Sequence, residues 1–282
     1  MASEMDAATE ASVLIPEIWS PIVLDARYQA AKILKRVLSK DADVKNAGDT
    51  VHIPIRPSIT IGDITQTTGE IDNQALTYTE AQLVVDKWRG GKITIVDMAS
   101  WQSIVDMAKD LAPDFGKALA ADIDSYLGSL YSSVTTNSLG SSTDDYSGDM
   151  VLAGLQKLID LSIPVDNPND ISLVLHTSKW SVLKNIDKFS FANYTGYSMG
   201  GQLKYEAPAP YGVPHFFTTA IKSSGSAYQN MLFHREAFAA AVQKRISLKE
   251  LAPTGFNKVY QAGALFGVKT IRETYACLLK TK

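Results

Sequence analysis

The stretch GYSMGG, Gly196 to Gly201, has the G-x-S-x-G spacing of a nucleophile elbow. In such an elbow two glycines let the backbone turn sharply from strand to helix and leave a serine oxygen exposed. The surroundings do not support one. FSFANYT before Gly196 is polar and broken, and Pro208, Pro210 and Pro214 follow where a helix would have to start. No aspartate follows Ser198, so Glu206 and then His215 or His234 are the forced partners, and no HGGG-like oxyanion segment lies upstream. A serine hydrolase built on Ser198 is a remote alternative, and the stretch reads as a flexible loop.

The other reactive residue types are scattered. His52, His176, His215 and His234 have no metal-pair spacing, and HREAF is not HExxH. His52, His176 and His234 sit in strand-like runs, where a hydrogen-bonded structural imidazole is the common fate. Asp122 and Asp124 in ADIDSY lie two apart on a helix, so their side chains diverge. They read as solvated, or paired with a neighbouring subunit, rather than as a general acid/base couple. Asp144 and Asp145 lie in a polar loop. Cys277, the one cysteine, excludes an internal disulfide and any CxxC motif, and its apolar run implies an inert thiol. Gly90-Gly91 and Gly200-Gly201 lack the Walker lysine and the dinucleotide spacing. Trp88-Arg89 and Lys179-Trp180 could stack on bases, but packing is the commoner role for such pairs. No catalytic, cofactor-binding or metal-binding residue is assigned, and no cofactor is expected.

Composition sets the frame for these residues. The chain has 282 residues, of which 45% are hydrophobic and 20% charged, enough apolar material for a large core or two linked domains. Net charge is -3, so no polycationic footprint for nucleic acid covers the whole protein. The charge is uneven: -11 through Asp187 and +8 from Lys188 onward. Two readings fit, solvated faces without special purpose or complementary surfaces that orient association between copies. The N-terminus is acidic where a signal peptide is basic, and no run reaches the roughly 18 apolar residues of a membrane span. No membrane partner is expected, and the chain is expected to fold in cytosol.

The elements follow from periodicity. LIPEIWSPIVLDARYQAAKILKRVLS reads as an arm with one or two short amphipathic helices carrying Ile22, Leu24, Ala30, Ile33, Leu34, Val37 and Leu38. TVHIPI, QLVVDKW and KITIVD alternate as strands, with Gly90-Gly91 between the last two. The polar stretch between the first two, about twenty residues long, suggests an extended hairpin, and Pro54 and Pro57 suit its edge strands. A long helix follows, with a stripe of Phe115, Leu119, Ile123, Tyr126, Leu127, Leu130, Tyr131 and Val134, kinked or restarted at Pro113. After the boundary TTNSLGSSTDDYSGD comes a mixed half. It has a helix capped by Asp149 and ended by Pro164, a buried strand ISLVLHT, and a helix SKWSVLKNI capped by Thr177 or Ser178. Strands are expected in VPHFFTTAI, MLFHREAF, AAAVQKRISL and the closing GVKTIRETYACLLK.

In order and spacing the chain resembles the major capsid proteins of tailed bacteriophages, whose fold is shared with herpesvirus capsids and encapsulin shells. LIPEIWSPIVLDAR followed by GDTVHIPI resembles an arm entering the extended loop. VVDKWRGGKITIVDMASWQS is similar to the return strand entering the spine helix, and ALAADIDSYLGSLY to the end of that helix. ISLVLHTSKWSVLKN, YGVPHFFTTAI and LFHREAFAAAVQ resemble the strands and helix of the axial domain. The resemblance implies an α+β fold. Its parts are an N-terminal arm (1–48), an extended β-hairpin loop (49–97), a spine helix with peripheral domain (98–148), and a mixed α/β axial domain with returning peripheral strands (149–282).

The implied function is structural. Copies would self-assemble as hexamers and pentamers into an icosahedral head enclosing double-stranded DNA, touched only by weak non-specific contacts. The partners implied are other copies of the chain, a separate scaffolding protein and a portal, with assembly in the bacterial host cytoplasm and residence in the virion. The arm starts too early to suggest a built-in scaffolding domain. The tip Ile59 to Glu80 has no lysine, and Lys87 and Lys92 lie on the return strand, which argues against cross-linking through the tip. Ser198 is then expected to be exposed or at a subunit contact. The alternative is an encapsulin-like shell around an enzyme cargo.

Overall fold

The computed structural model describes residues 31–44, 49–57, 59, 61, 62, 64, 77–96, 107–186, 210–251 and 257–282. The helices in them are α1 (Met107–Ser129), α2 (Gly148–Asp160) and α3 (Lys179–Lys184). The first strands are β1 (Leu38–Ser39), β2 (Thr50–Ile55), β3 (Thr79–Val84), β4 (Lys87–Val96), β5 (Ser138–Leu139) and β6 (Ile171–His176). The later ones are β7 (His215–Thr218), β8 (Ser223–Ser224), β9 (Ala227–His234), β10 (Phe238–Leu251), β11 (Asn257–Thr270) and β12 (Ala276–Thr281).

The stripe on α1 builds the main core. Phe115, Leu119, Ile123, Leu127 and Val134 are buried there, with Tyr126, Leu130 and Tyr131 packed partly buried against them. Each fully buried aliphatic side chain contributes about 1.5–3 kcal/mol relative to exposure. Pro113 lies inside one helix and does not divide the segment in two. The helix gives way to a 3-10 turn at Leu130–Ser133, where Ser129 and Ser133 hydroxyls bond back to the Tyr126 and Leu130 carbonyls at 2.6 and 2.7 Å. Such back-bonds compete with the helical ladder.

One sheet has the order β1-β10-β11-β4. Ala240, Val242, Ala262, Ala264 and Phe266 join the core of α1, while Ala239 and Ala241 turn to the other face and meet Val51 and Leu83 of the β2–β3 hairpin. The period-2 alternation of β10 thus places the helix on one side and the hairpin base on the other. Gly90 and Gly91 do not separate two strands; both lie inside β4, whose true break from β3 falls at Val85–Asp86. Gly90 stands opposite Gly263 in the ladder, where a Cβ would come within 2.5 Å of the Ala262 carbonyl oxygen.

The second sheet has the order β5-β12-β9-β6-β7, with β8 paired to β9. It separates two cores by strict alternation. Val174, Met231, Phe233, Ala276 and Leu278 belong to the core of α1; Leu173, Leu175, Leu232, Cys277 and Leu279 belong to a second core with Val151, Leu158 and Leu183. ISLVLH is buried on both faces, as its mainly apolar composition predicts, with Ser172 the one polar side chain inside the buried stretch. Buried Asn230 ties three strands together. Its Nδ2 donates to the Leu279 carbonyl at 3.1 Å and Thr281 Oγ1 at 3.0 Å, and its Oδ1 accepts from the His176 N–H at 2.8 Å.

Several expectations need correction. The cap of α2 is Ser147, whose hydroxyl accepts from the Met150 N–H at 3.3 Å, and Asp149 lies in the first turn. The helix ends at Asp160, ahead of Pro164. Ser162 takes the left-handed conformation (φ 55), its N–H bonding Ile159, and the Ile163 N–H reaches back to Leu158 at 3.1 Å. That pairing is a Schellman closure, with Ile163 and Leu158 in the same core. Ser178 precedes α3 but makes no side-chain cap. MLFHREAF is not one strand: β9 stops at His234, and the chain corners through a 3-10 turn at Arg235–Ala237 into the other sheet. Ile33 to Leu38 are not an amphipathic helix either. They form a short 3-10 turn and β1, with Ala31, Ile33, Val37 and Val44 buried. The described end of the 1–48 segment is therefore packed into the body.

Candidate functional site

The hairpin begins as a clamped structure and ends as an exposed one. Val51 opposite Leu83 is buried with Val44, Val85, Ala239 and Ala241. Gly267 makes the clamp possible, since a Cβ there would lie 2.1 Å from the Val84 carbonyl oxygen. Pro54 stands opposite Glu80 in this two-stranded sheet, the edge position its missing N–H requires. Glu80 accepts from Gln82 Nε2 at 2.8 Å and lies 3.1 Å from His52 Nδ1. These two contacts, Gln82 first, hold its carboxyl below the ordinary value.

Among the described residues from Ile59 to Tyr78 the large apolar side chains no longer reach a core. Ile59 is 72% exposed and Ile61 92%, and Ile64 and Tyr78 are exposed as well. Val84, Trp88 and Ile93 continue the exposed apolar series, with Trp88 at 77%. Large apolar side chains exposed in such number are a feature that contact surfaces share. The base of Trp88 is fixed by its neighbours in the ladder. Arg89 Nε donates to Asp122 Oδ2 at 3.0 Å, and its guanidinium lies 5.8 Å from the Tyr126 ring centre. The Asp122 hydrogen bond, then its charge, raises the Arg89 pKa. A smaller apolar face, Leu152, Ile159 and Leu161, lies at α2.

The candidate chemical residues are engaged in structure. Asp122 holds Arg89 of its own chain. Asp124 is buried and accepts the backbone N–H groups of Lys32 at 2.6 Å, Ile33 at 3.1 Å and Leu34 at 3.0 Å. Burial pushes its pKa up, against the pull of those three bonds. The two carboxylates diverge as expected but serve internal contacts rather than solvent or a neighbour. Asp145 pairs with Lys282 at 2.9 Å. His215 is buried, with Nδ1 donating to the Val213 carbonyl and Nε2 accepting from Tyr146 Oη, both at 2.8 Å. Desolvation holds its pKa down to about 4, so it is neutral near pH 7.

His234 Nδ1 accepts from the Glu236 N–H at 3.3 Å and fixes the corner between the sheets. His176 stacks on Tyr228 at 4.0 Å and accepts from the Ser178 N–H. Cys277 is buried and its pKa is pushed up to about 11. Lys179 is buried over the Tyr228 ring and donates to the Lys282 carbonyl, a packing role. Ser198, Glu206 and Gly196 to Gly201 lie outside the described residues. Among the described residues no group of three His, Cys, Asp or Glu could hold a metal ion, and no helix is long and apolar enough to cross a membrane.

Sequence reasoning missed two features. The Asp124 anchor joins residues 90 to 92 positions apart, and no local pattern announces it. The exposed isoleucines did carry a signal, since Ile59, Ile61 and Ile64 stand in an otherwise polar run.

No protein-family model matches the sequence, and no curated protein does. Solved structures do match in shape. A structure from Mycobacterium phage Che8 is 17% identical, with 99% of this chain and 93% of that one covered, at a TM-score of 0.67. The mature capsid of bacteriophage PhiM1 is 11% identical, covering 89% and 87%, at 0.66. A virus-like particle from Pyrococcus furiosus is 12% identical, covering 93% and 98%, at 0.61. With a spine-like α1, a hairpin clamped at its base and two sheets joined at one corner, the chain has the α+β major-capsid fold of tailed phages.

Proposed function

We propose that this chain is the shell-forming subunit of a phage head. Its copies gather as hexamers and pentamers and close into an icosahedral capsid around double-stranded DNA. One observation carries the reading: a hairpin fixed at its base holds Ile59, Ile61, Ile64 and Tyr78 out in water, and Trp88 on β4 is exposed as well. A monomer gains nothing from that arrangement. A second copy that covers those side chains recovers about 1.5–3 kcal/mol for each one fully buried. The likeness to phage capsids over nearly the whole chain supports the same reading. In it the protein is not an enzyme, and the head is where it resides. The arm of residues 1–48, the loop of 49–97, the spine and peripheral part of 98–148 and the axial part of 149–282 are the proposed working parts. A separate scaffolding protein and a portal complete the proposed assembly.

Negative-stain microscopy of the purified chain tests this. Closed shells or rings of five or six copies are expected, and a small monodisperse monomer, even with a scaffolding protein added, sinks it. The likeness to a virus-like particle supports a second reading, a shell around an enzyme cargo. Nuclease-resistant DNA inside purified particles decides for the phage head.

A further inference from the structure

We propose that four cations at the root of the arm, Lys32, Lys35, Arg36 and Lys222, form the surface that meets the phosphate backbone of double-stranded nucleic acid. The proposal rests on the shell reading above and names where its contents touch the wall.

The backbone of Lys32 and the side chain of Lys222 meet one stretch of α1, and Lys35 and Arg36 follow Lys32 closely in the chain. Asp124 accepts the Lys32 N–H at 2.6 Å, and the next residue, Ser125, accepts from Lys222 Nζ at 2.5 Å. Arg36 lies over the Phe216 ring at 4.1 Å, and Phe216 packs against the core that contains Ile33, Ile123 and Ile221. Lys32 and Lys35 are exposed, and Arg36 and Lys222 half-buried. None of the four takes part in an ion pair among the described residues, whereas Lys40, Lys87, Arg89 and Lys117 each have a carboxylate. The carboxylate at hand, Asp124, is buried and occupied by three backbone N–H groups, and it feels the charge of Lys32 without forming an ion pair with it. A chain with a net charge of -3 thus keeps these four cations without an ion-pair partner among the described residues.

The neighbourhood also identifies the partner class. A protein interface has an apolar centre and a charged rim. The exposed large apolar residues lie elsewhere, on residues 59–93, at α2 and at Tyr211, and none belongs to residues 31–44 or 219–226. Cations without an apolar centre suit a phosphate backbone, which is bound by charge and without regard to sequence. Four contacts give weak, salt-sensitive binding, which suits contents that must later leave.

The test uses the purified full-length chain before assembly and a fluorescently labelled duplex of about 30 base pairs, with affinity followed by anisotropy between about 50 and 200 mM salt. A slope of log K against log salt of about -3.6 is expected, reduced by about 2 in Lys32→Gln/Lys35→Gln. The control Arg235→Gln/Lys269→Gln removes two exposed cations elsewhere and is expected to keep the slope. No binding by the wild type, or an unchanged slope in the Lys32/Lys35 variant, overturns the proposal. So does polyglutamate competing as well as the duplex, which would make the partner an acidic protein. Microscopy of the same samples is read separately. Wild-type shells with an unchanged slope remove only this proposal, and absence of shells removes the shell reading.

Discussion

The carboxylate of Asp124 accepts the backbone N–H of Ile33 at 3.1 Å across 91 positions of sequence, inside the core. Together with its bonds to Lys32 and Leu34, this contact fixes where the chain joins α1. Asp124→Ala leaves three N–H donors without an acceptor. At about 1–3 kcal/mol for each buried group left unsatisfied, partly relieved by water, a net loss of about 3 kcal/mol is expected in urea unfolding at pH 7. Asp124→Asn keeps one acceptor oxygen and is expected to lose less. Wild-type stability in Asp124→Ala would show that the anchor contributes nothing.

The same anchor divides the N-terminal segment into two parts with different fates. Deleting residues 1–38 removes Ile33 and Val37, both buried, and is expected to abolish cooperative unfolding. Deleting only residues 1–30 leaves the anchor in place. That shorter deletion is expected to unfold cooperatively by circular dichroism yet form no closed shells by microscopy. Normal shells from it would show that the arm has no part in closure.

How much of this was legible in the sequence depends on whether the cause is local. The stripe Phe115 to Val134 was legible because helical spacing alone puts those side chains on one face, and burial of Ile171 to Leu175 because Ile171, Leu173 and Leu175 fill one face of the strand and Val174 the other. Gly90-Gly91 misled, since glycine in a strand signals either a turn or a close approach; here Gly263 stands opposite. The fate of Ile33 and Val37 was not legible, because their partners are Asp124 and residues of α1 far along the chain. The exposed apolar hairpin was half legible: the loop showed as a polar gap, but the clamp at its base depends on Gly267, nearly 200 positions away.

His215 gives the protein a sign-specific response to acid. Its folded pKa of about 4 lies below the unfolded value of 6.5, so the unfolded chain binds more protons between these values. The contribution is complete above pH 6.5 and is lost as pH falls toward 4. Between pH 7 and pH 5 this residue is expected to remove about 2 kcal/mol of unfolding free energy. His215→Asn cannot titrate and is expected to flatten that part of the pH profile, even though its absolute stability is lower. An unchanged profile in the variant would assign the acid response to other groups.

Gly267 and Gly62 separate space from conformation. A Cβ at Gly267 would meet the Val84 backbone at 2.1 Å, whereas one at Gly62 meets nothing within 4 Å. Gly267→Ala must push β3 off β11 and is expected to cost about 1–3 kcal/mol, as overpacking does. Gly62→Ala is expected to change stability by less than about 0.5 kcal/mol. Equal thermal midpoints for the two variants would mean that the hairpin base is not clamped.

The exposed side chains make the opposite demand, that a mutation leave folding alone and damage association. Ile61 is 92% exposed and Trp88 77%, so neither contributes much to the fold of one chain. Ile61→Asp and Trp88→Ala are expected to keep the unfolding free energy within about 0.5 kcal/mol of wild type. An aromatic anchor at the centre of an interface costs about 2 kcal/mol or more when truncated, and a contact repeated around a ring multiplies that loss. Each variant is therefore expected to remain folded and soluble while rings and shells disappear from negative-stain fields and sedimentation profiles. If both variants assemble as the wild type does, the apolar row is not a subunit contact, and its exposure needs another cause.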